Sequence, residues 1–237
     1  MLNDLRLENV LFLDVETVPA EATFDNLDDG WKSLWEEKSR FFREKEGMEL
    51  ADSYERAGIY AEFGKIVCIS VGLIRQKMGE NTLRVTSFFG DDEKGLLQKF
   101  ANLLNTHYCE RHHLLCAHNG KEFDFPYIAR RMVIKGVALP ELLNMAGKKP
   151  WEIQHLDTME LWKFGDFKAY TSLRLLTKVF DIPTPKDDID GSEVSRVYYE
   201  EKNLDRIERY CKKDVVALVQ LMMNFKGLPM IDEVIEV

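Results

Sequence analysis

A short apolar segment near the start of the chain, Val10-Leu11-Phe12-Leu13-Asp14-Val15-Glu16-Thr17, contains two carboxylates that lie two residues apart. Its apolar residues predict a buried β-strand. Because side chains alternate between the two faces of a strand, Asp14 and Glu16 are expected on one face and Val15 on the other. Two like charges on one face of a buried strand are unfavourable unless a cation neutralises them. The segment therefore predicts a central strand with a metal site on one face.

Another acidic residue follows a predicted strand in the middle of the chain. The apolar residues that begin at Leu114 predict a short strand that ends at Asn119-Gly120. A helix is expected to begin near Asp124, with Pro126 in its first turn, where proline is well tolerated. Asp124 is therefore suited to a site at this strand end, although it is equally well explained as the cap of the helix.

A long helical pattern near the end of the chain contains Tyr210 and Asp214. Residues four apart lie on one helix face, so the phenol and the carboxylate can reach a common site. Two lysines precede Asp214, and considered alone this carboxylate is equally well explained as part of a solvated helix face.

Together, the three segments resemble the DEDD superfamily of 3'-5' exonucleases, in its tyrosine (DEDDy) branch. The resemblance rests on DxE after an apolar strand, NGxxFD before a helix and YxxxD on a late helix, in this chain order. The histidine branch would have a histidine at position 209, where this chain has Arg209. The likeness is in particular to the proofreading exonuclease domain of family B DNA polymerases and its stand-alone relatives. It implies an α/β, ribonuclease H-like fold, in which a mixed sheet is flanked by helices.

The resemblance also implies a metal-dependent enzyme with two divalent cations, Mg²⁺ or Mn²⁺, both of which prefer oxygen ligands. The metal ligands would be Asp14, Glu16, Asp124 and Asp214, with Tyr210 as a fifth catalytic residue and Asn119 and Thr17 as substrate contacts. By the same resemblance, Asp14 bridges both ions and Asp124 helps to hold the second ion through water. Glu16 and Asp214 complete the site that binds the attacking water.

The roles of three further residues near these motifs follow from the chemistry of their side chains and from their positions. An unperturbed tyrosine titrates near pH 10, so Tyr210 is expected to orient the attacking water rather than to deprotonate it. Asn119 is equally well explained as a turn residue before Gly120. Asp157 has no metal-ligand role in the family and is assigned to structure.

The expected reaction releases 5'-mononucleotides from the 3' end of single-stranded nucleic acid. The local match of FDFPYIARR and YCKKDVVAL to polymerase-type exonucleases favours DNA. An exoribonuclease is an open alternative, because the tyrosine branch includes RNA-trimming members. A non-catalytic ribonuclease H-like module that binds nucleic acid is another, although the intact carboxylates argue against it.

The distribution of charge limits how the chain can bind nucleic acid. The formal net charge is −9, and residues 1–62 hold 16 acidic and 7 basic residues, whereas residues 63–237 hold 25 of each. Within residues 121–178, ten basic residues stand against seven acidic ones. This balance is compatible with weak or assisted substrate binding and excludes tight nonspecific coating of DNA.

The remaining composition favours a cytoplasmic protein with no membrane association. No apolar run approaches membrane-spanning length, and the N-terminus lacks a secretion pattern. The four cysteines form no CxxC motif and are expected to be reduced thiols. The five histidines show no HxxxH or HExxH spacing, which argues against a zinc site.

The 237 residues are expected to form a single exonuclease domain. Strands are expected at 9–15, 65–74, 83–89 and 113–118, with a weaker pattern at 154–158 and a hairpin turn at Gly79-Glu80-Asn81. Helices are expected at 92–107, 125–136, 171–180 and 204–225. The polar stretch 186–194 predicts a turn that leads into a helix.

The acidic segment 20–62 is expected to be a helical insertion after the first strand. Its aromatic and apolar residues recur at roughly helical spacing among many charged ones, which favours one or two amphipathic helices packed on the sheet. The alternative is a lid beside the active site, because the segment begins shortly after Glu16 and Thr17.

Overall fold

The computed structural model of the chain describes residues 2, 4–77, 79–166, 168, 170–183 and 189–237. Its strands are β1 (Val10–Pro19), β2 (Gly64–Lys77), β3 (Glu80–Phe89), β4 (Leu114–Ala117), β5 (Leu156–Asp157) and β6 (Glu233–Glu236). Its α-helices are α1 (Asp29–Glu46), α2 (Leu50–Ser53), α3 (Glu93–His107), α4 (Asp124–Ile134), α5 (Thr158–Lys163), α6 (Leu173–Val179), α7 (Val194–Arg196) and α8 (Leu204–Phe225). A π-helical segment, Val197–Glu201, lies between α7 and α8.

The strands form one mixed sheet in the order β5-β4-β1-β2-β3-β6. β2 pairs antiparallel with β1 and β3, whereas β4 is parallel to β1, β5 to β4 and β6 to β3. Helices pack on both faces of this sheet. The predicted α/β class, with a mixed sheet flanked by helices, is therefore confirmed.

The central strand β1 divides the hydrophobic core into two layers. Leu11, Leu13 and Val15 face the layer that contains α3 and α4. Val10 and Phe12 face the layer that contains α8. This alternation is the one that a strand buried on both faces requires.

The predicted elements are largely found, with several differences at their ends. Strands β1 to β4 and helices α3, α4, α6 and α8 correspond to predicted segments, and the weak pattern at 154–158 contains the two-residue β5. The short helix α5 and the acidic strand β6 were not predicted, whereas α7 is the helix expected after the polar stretch 186–194. Of the stretch 186–194, residues 186–188 lie outside the described residues, and α7 begins at Val194. No helix in the described part of the chain is long and apolar enough to cross a membrane.

The hairpin predicted between β2 and β3 is found, with Gly79 in its turn, but the predicted turn extends too far along the chain. Glu80 already pairs with Lys77, and Asn81 pairs with Gln76, so both belong to β3 rather than to the turn. Gly79 has a φ of 87°, a conformation that glycine adopts without steric penalty. The chain therefore reverses before Glu80.

The predicted helical insertion is confirmed and has its own small core. Trp35 of α1 is fully buried, and its Nε1 donates to Ser53 Oγ at 3.1 Å. Its indole ring contacts Tyr54 and Phe63 edge-on, at centroid distances of 5.4 and 5.1 Å. Since Phe63 immediately precedes β2, this cluster attaches the insertion to the sheet.

A buried ion pair holds α4 in place. Arg131 donates to both carboxylate oxygens of Glu93, at 2.7 and 2.6 Å. Glu93 also accepts the N–H of Ile66 in β2 at 2.9 Å, and Arg131 donates to the carbonyl of Ala61 at 2.7 Å. These bonds join α3, α4 and β2, and thereby fix the helix whose first residue is Asp124.

Helix α8 covers the opposite face of the sheet at a point where β2 has a glycine. A Cβ at Gly72 would lie 2.7 Å from Cγ1 of Val215, closer than atoms of two side chains can approach. Val215 is fully buried and directly follows Asp214. The missing side chain at Gly72 therefore sets how closely α8, with Asp214, approaches the sheet.

This close approach predicts a specific coupling between Gly72 and Val215. Gly72→Ala should lower the free energy of unfolding by about 1–3 kcal/mol, because the added methyl group overpacks the core. Val215→Ala should also destabilise the fold, yet the double variant should lose less than the two single losses together. Urea unfolding of the four proteins measures this coupling. Strictly additive losses would show that the two residues do not limit helix docking.

Candidate active site

The pleat of β1 directs Asp14 and Glu16 toward α8. The apolar residues on the same face of the strand pack against α8, so the two carboxylates share that face, as predicted. Carboxylate oxygens of Asp14 and Glu16 and the sulfur of Cys211 lie within 4.8 Å of one another. The pairing with β2 shifts register between Glu16 and Thr17, and such a bulge re-aims the side chains that follow.

Helix α8 contributes three side chains to this face. The Tyr210 hydroxyl hydrogen-bonds the Asp214 carboxylate one turn later, as the four-residue spacing predicts. The Cys211 thiol donates to the backbone carbonyl of Asp14, with a sulfur–oxygen distance of 3.4 Å. The charge of Asp214 also acts on Glu16. The last motif of the chain is thus joined directly to the first strand.

Asp124 reaches the same cluster from the start of α4. It is 4% exposed, and its carboxylate accepts the backbone N–H of Val15. Phe123, not Asp124, occupies the N-cap position of α4, so the reading of Asp124 as the helix cap is wrong. The charge of Asp14 acts on Asp124. The charges of the other three carboxylates thus all act on Glu16. Among the described residues, however, only Asp14, Glu16 and Cys211 have ligand atoms within 4.8 Å of one another.

The turn that contains Asn119 is held by the buried carboxylate of Asp157. The N–H of Asn119 donates to Asp157 Oδ1 at 2.9 Å, and that of Lys121 donates to Oδ2 at 3.1 Å. Asp157 Oδ1 also accepts the N–H of Met159 at 3.0 Å and so caps α5. These bonds agree with the structural role assigned to Asp157. Asn119 itself has a φ of 64°, which asparagine tolerates better than most residues.

Thr17 connects the end of β1 to the insertion. Its hydroxyl hydrogen-bonds the phenol of Tyr127, which in turn donates to the carbonyl of Gly58 at 2.7 Å. Burial raises the pKa of Tyr127, so this phenol stays protonated and acts as a donor. Thr17 is half-buried and lies one residue beyond the carboxylate pair.

Burial and mutual repulsion both disfavour ionisation of the clustered carboxyls. Burial raises the pKa of Asp14 to about 6, against hydrogen bonds from Cys211 and from the Val15 N–H that lower it. Burial, followed by the charges of Asp14 and Asp214, raises the pKa of Glu16 well above its usual range. Burial and the charge of Asp14 do the same for Asp124. Without a compensating positive charge, the cluster would retain protons that ordinary carboxyls release.

The donor set fits hard divalent cations. Oδ2 of Asp14 is buried and has no hydrogen-bond partner among the described residues. An orphaned buried oxygen in a group of carboxylates is an available ligand atom for Mg²⁺ or Mn²⁺, which bind through oxygen. The ligands would come from Asp14, Glu16, Asp124 and Asp214. The bound cations would then balance the negative charges that otherwise repel one another.

Cys211 is a further member of the site. From the sequence it was predicted only to be a reduced thiol. All four cysteines are free thiols in the described residues, and Cys211 is buried. Burial raises its pKa well above the usual range, so the thiol stays neutral and donates to Asp14 rather than carrying charge. Its position three residues before Asp214, on the same helix face, was the available signal.

A family model described as a predicted 3'-5' exonuclease related to the exonuclease domain of PolB matches residues 59–228. The matched range contains Asp124, Tyr210 and Asp214 and begins after Asp14 and Glu16. Among solved structures, the chain is similar to the family B DNA polymerase from the hyperthermophilic archaeon Pyrobaculum calidifontis, with a TM-score of 0.48 and 13% sequence identity. That similarity covers 91% of this chain and 24% of the polymerase chain. The chain thus spans about a quarter of the length of that polymerase.

The raised pKa of Asp14 predicts that Asp14→Asn stabilises the metal-free protein at neutral pH. Between the ordinary value of 3.8 and about 6, the folded chain holds a proton that the unfolded chain releases, so stability falls as pH rises through this window. At pH 7.5 in EDTA, the variant should gain about 1–3 kcal/mol of unfolding free energy, and near pH 4 the gain should vanish. Urea unfolding at both pH values measures the difference.

A matched control is Asp25→Asn, which changes an exposed carboxylate outside the cluster. It should leave stability almost unchanged at both pH values. An equal gain for Asp14→Asn at pH 4 and pH 7.5 would contradict the assignment of burial and repulsion as the cause.

Proposed function

The chain belongs to the family of predicted 3'-5' exonucleases related to the exonuclease domain of PolB, and on that premise we propose that it removes 5'-mononucleotides from the 3' end of single-stranded nucleic acid. The observation that carries the proposal is that Asp14 and Glu16 of β1 lie close together, with Oδ2 of Asp14 orphaned, and that the charges of Asp124 from α4 and Asp214 from α8 act on this pair. A purely structural cluster of this kind would leave repulsion uncompensated.

The carboxylates Asp14, Glu16, Asp124 and Asp214 would hold two divalent cations, Mg²⁺ or Mn²⁺. When bound, such a pair supplies activation of the attacking water and charge relief on the leaving 3'-oxygen. The contribution of the protein is to hold acidic side chains from three segments close together before substrate arrives. The hydrogen bond from Cys211 to the Asp14 carbonyl supports this arrangement, because it ties α8 to β1 beside the ligands.

We assign to Tyr210 the role of orienting the attacking water. An ordinary tyrosine is protonated at neutral pH, because its pKa lies near 10. Burial, followed by the charges of Asp214 and Glu16, raises the pKa of Tyr210 further. The phenol is therefore a hydrogen-bond donor, and its bond to Asp214 fixes its direction. A group in this state can align a nucleophile but cannot serve as its base.

Asn119 and Thr17 are proposed to contact the terminal nucleotide. Asp157 holds the backbone of Asn119 just after β4, five positions before Asp124, the first residue of α4. Thr17 lies at the bulge that directly follows Glu16. Both residues thus flank the carboxylates on their own segments, and both have side chains that donate and accept hydrogen bonds.

DNA is the proposed substrate, on the sequence match of the segments around Asp124 and Asp214 to polymerase-type exonucleases. A cytoplasmic location belongs to the same proposal and is supported by the four free thiols, three of which are buried. Digestion of matched DNA and RNA strands decides between a deoxyribonuclease and an exoribonuclease. Binding without cleavage of either strand would instead indicate a non-catalytic module.

The proposal predicts strict polarity and metal dependence. With Mg²⁺ or Mn²⁺, a 5'-labelled single strand should shorten stepwise, while a 3'-labelled one should release its labelled mononucleotide first. Excess EDTA should abolish both reactions, and so should Asp14→Ala, which removes the central carboxylate but leaves the fold intact. Gel electrophoresis of both labelled strands is the measurement. Cleavage of circular single strands, or undiminished activity in EDTA, would sink the proposal.

Substitutions of Tyr210 and of Asp214 should have different effects on turnover and on metal binding. Tyr210→Phe should slow turnover by roughly 10- to 1000-fold, or about 1.4–4 kcal/mol of transition-state stabilisation, with Mn²⁺ affinity unchanged. Asp214→Ala should weaken Mn²⁺ binding as well as turnover, because it removes a ligand. Single-turnover kinetics and Mn²⁺ titration separate the two effects. Weakened Mn²⁺ binding by Tyr210→Phe would contradict a purely orienting role.

A further inference from the structure

Two exposed aromatic side chains lie in the loop that follows α5. Phe164 is 89% exposed and Tyr170 is 67% exposed, although burial of such rings normally stabilises a fold. The ammonium group of Lys163, the last residue of α5, lies 4.5 Å from the centroid of the Tyr170 ring. We call Lys121, Lys163, Phe164 and Tyr170 the aromatic strip.

Phe164 occupies an unfavourable backbone conformation without the benefit of burial. Its φ is 44°, in the left-handed region that bulky residues rarely adopt. The residue that follows, Gly165, has a φ of 91°, so the chain reverses sharply at the end of α5. Backbone strain that packing does not offset is often found at functional positions. The exposed ring at this reversal is available to a binding partner.

Hydrogen bonds join the aromatic strip to the turn between β4 and α4, which leads to Asp124. The N–H of Lys121 donates to Asp157, which also holds Asn119, and the Lys121 ammonium pairs with Glu160 of α5 at 2.6 Å. On the other side, His118 Nε2 lies 2.8 Å from the carbonyl of Thr171, next to Tyr170. Both ends of the loop are therefore joined to the turn between β4 and α4.

Charge distinguishes this surface from Phe41, another aromatic residue of similar exposure. The aromatic strip lies within residues 121–178, where basic residues exceed acidic ones by ten to seven. Phe41, which is 81% exposed, lies in the first 62 residues, where 16 acidic residues face 7 basic ones. A polyanion would be repelled from Phe41 and tolerated at the aromatic strip.

We propose that the aromatic strip binds the single strand upstream of its 3'-terminal nucleotide. Bases would stack on Phe164 and Tyr170, and Lys121 and Lys163 would lie near the backbone phosphates. Stacking on aromatic rings beside basic side chains is a sequence-independent way to bind single strands. The proposal rests on the proposed exonuclease function. It identifies the surface by which the enzyme would prefer longer single strands to short substrates.

The test compares a 12-nucleotide strand with the p-nitrophenyl ester of thymidine 5'-phosphate, which is too short to reach the aromatic strip. The variant Phe164→Ala/Tyr170→Ala should lose about 10- to 100-fold in kcat/KM on the strand, mainly through KM. Its activity on the ester should stay within about two-fold of the original, since stacking on these rings contributes only to longer substrates. Phe41→Ala is the matched control, and Tyr170→Phe should retain strand binding because it keeps the ring.

Anisotropy of a labelled strand in EDTA provides a readout that does not require catalysis. Weaker binding by the double variant would support strand binding at the aromatic strip, even if none of the proteins cleaves either substrate. In that case only the proposed exonuclease function would be contradicted. Unchanged strand affinity and unchanged KM would overturn the proposed role of the aromatic strip and would favour a protein as the partner of this surface. Equal losses on the strand and the ester would also overturn it, because they would indicate a general structural defect.

Discussion

The placement of carboxylates in a largely buried site, where burial and mutual repulsion both disfavour their charges, is the constraint on which the rest of the structure depends. Asp14, Glu16, Asp124 and Asp214 arrive from three elements, and each raised pKa in this group has burial as its largest cause. Such a cluster persists only if each element is anchored elsewhere. The Glu93–Arg131 pair holds α4, and the glycine opposite Val215 admits α8 to the sheet. The scaffold thus maintains a negative site that a divalent cation would stabilise.

Local periodicity was sufficient to predict most of the fold, whereas the four carboxylates were named as one site through the resemblance to the exonuclease family. Strand alternation placed Asp14 and Glu16 on one face, and helical spacing paired Tyr210 with Asp214, because both patterns depend on near neighbours in sequence. The cysteine of α8 was missed because its bond to the Asp14 carbonyl joins residues 197 positions apart. Gly79 located the hairpin turn correctly, although Glu80 and Asn81 belong to β3, and β6 was missed because it is a short acidic strand that pairs with β3 at the sheet edge.

The structure joins the part of the chain that matches the family to the part that precedes it. The family match begins at residue 59, yet β1 is the central strand, between β2 and β4. Asp14 and Glu16 are therefore brought to the matched segments by strand pairing in the sheet, although they lie outside the matched range. The insertion between β1 and β2 forms its own cluster around Trp35 and contributes acidic residues. Its charge leaves the more basic surface after α5 as the better path for a polyanionic strand.

The central claim is that the carboxylate cluster exists to hold divalent cations beside a 3' end. The most direct measurement is an anomalous difference map from crystals grown with Mn²⁺ and a short strand that ends in a 3'-terminal phosphorothioate linkage. The account predicts Mn²⁺ peaks within ligand distance of Asp14 Oδ2, with the terminal linkage of the strand next to them. Absence of Mn²⁺ from this cluster while the strand is bound, or a strand end located elsewhere on the molecule, would contradict it.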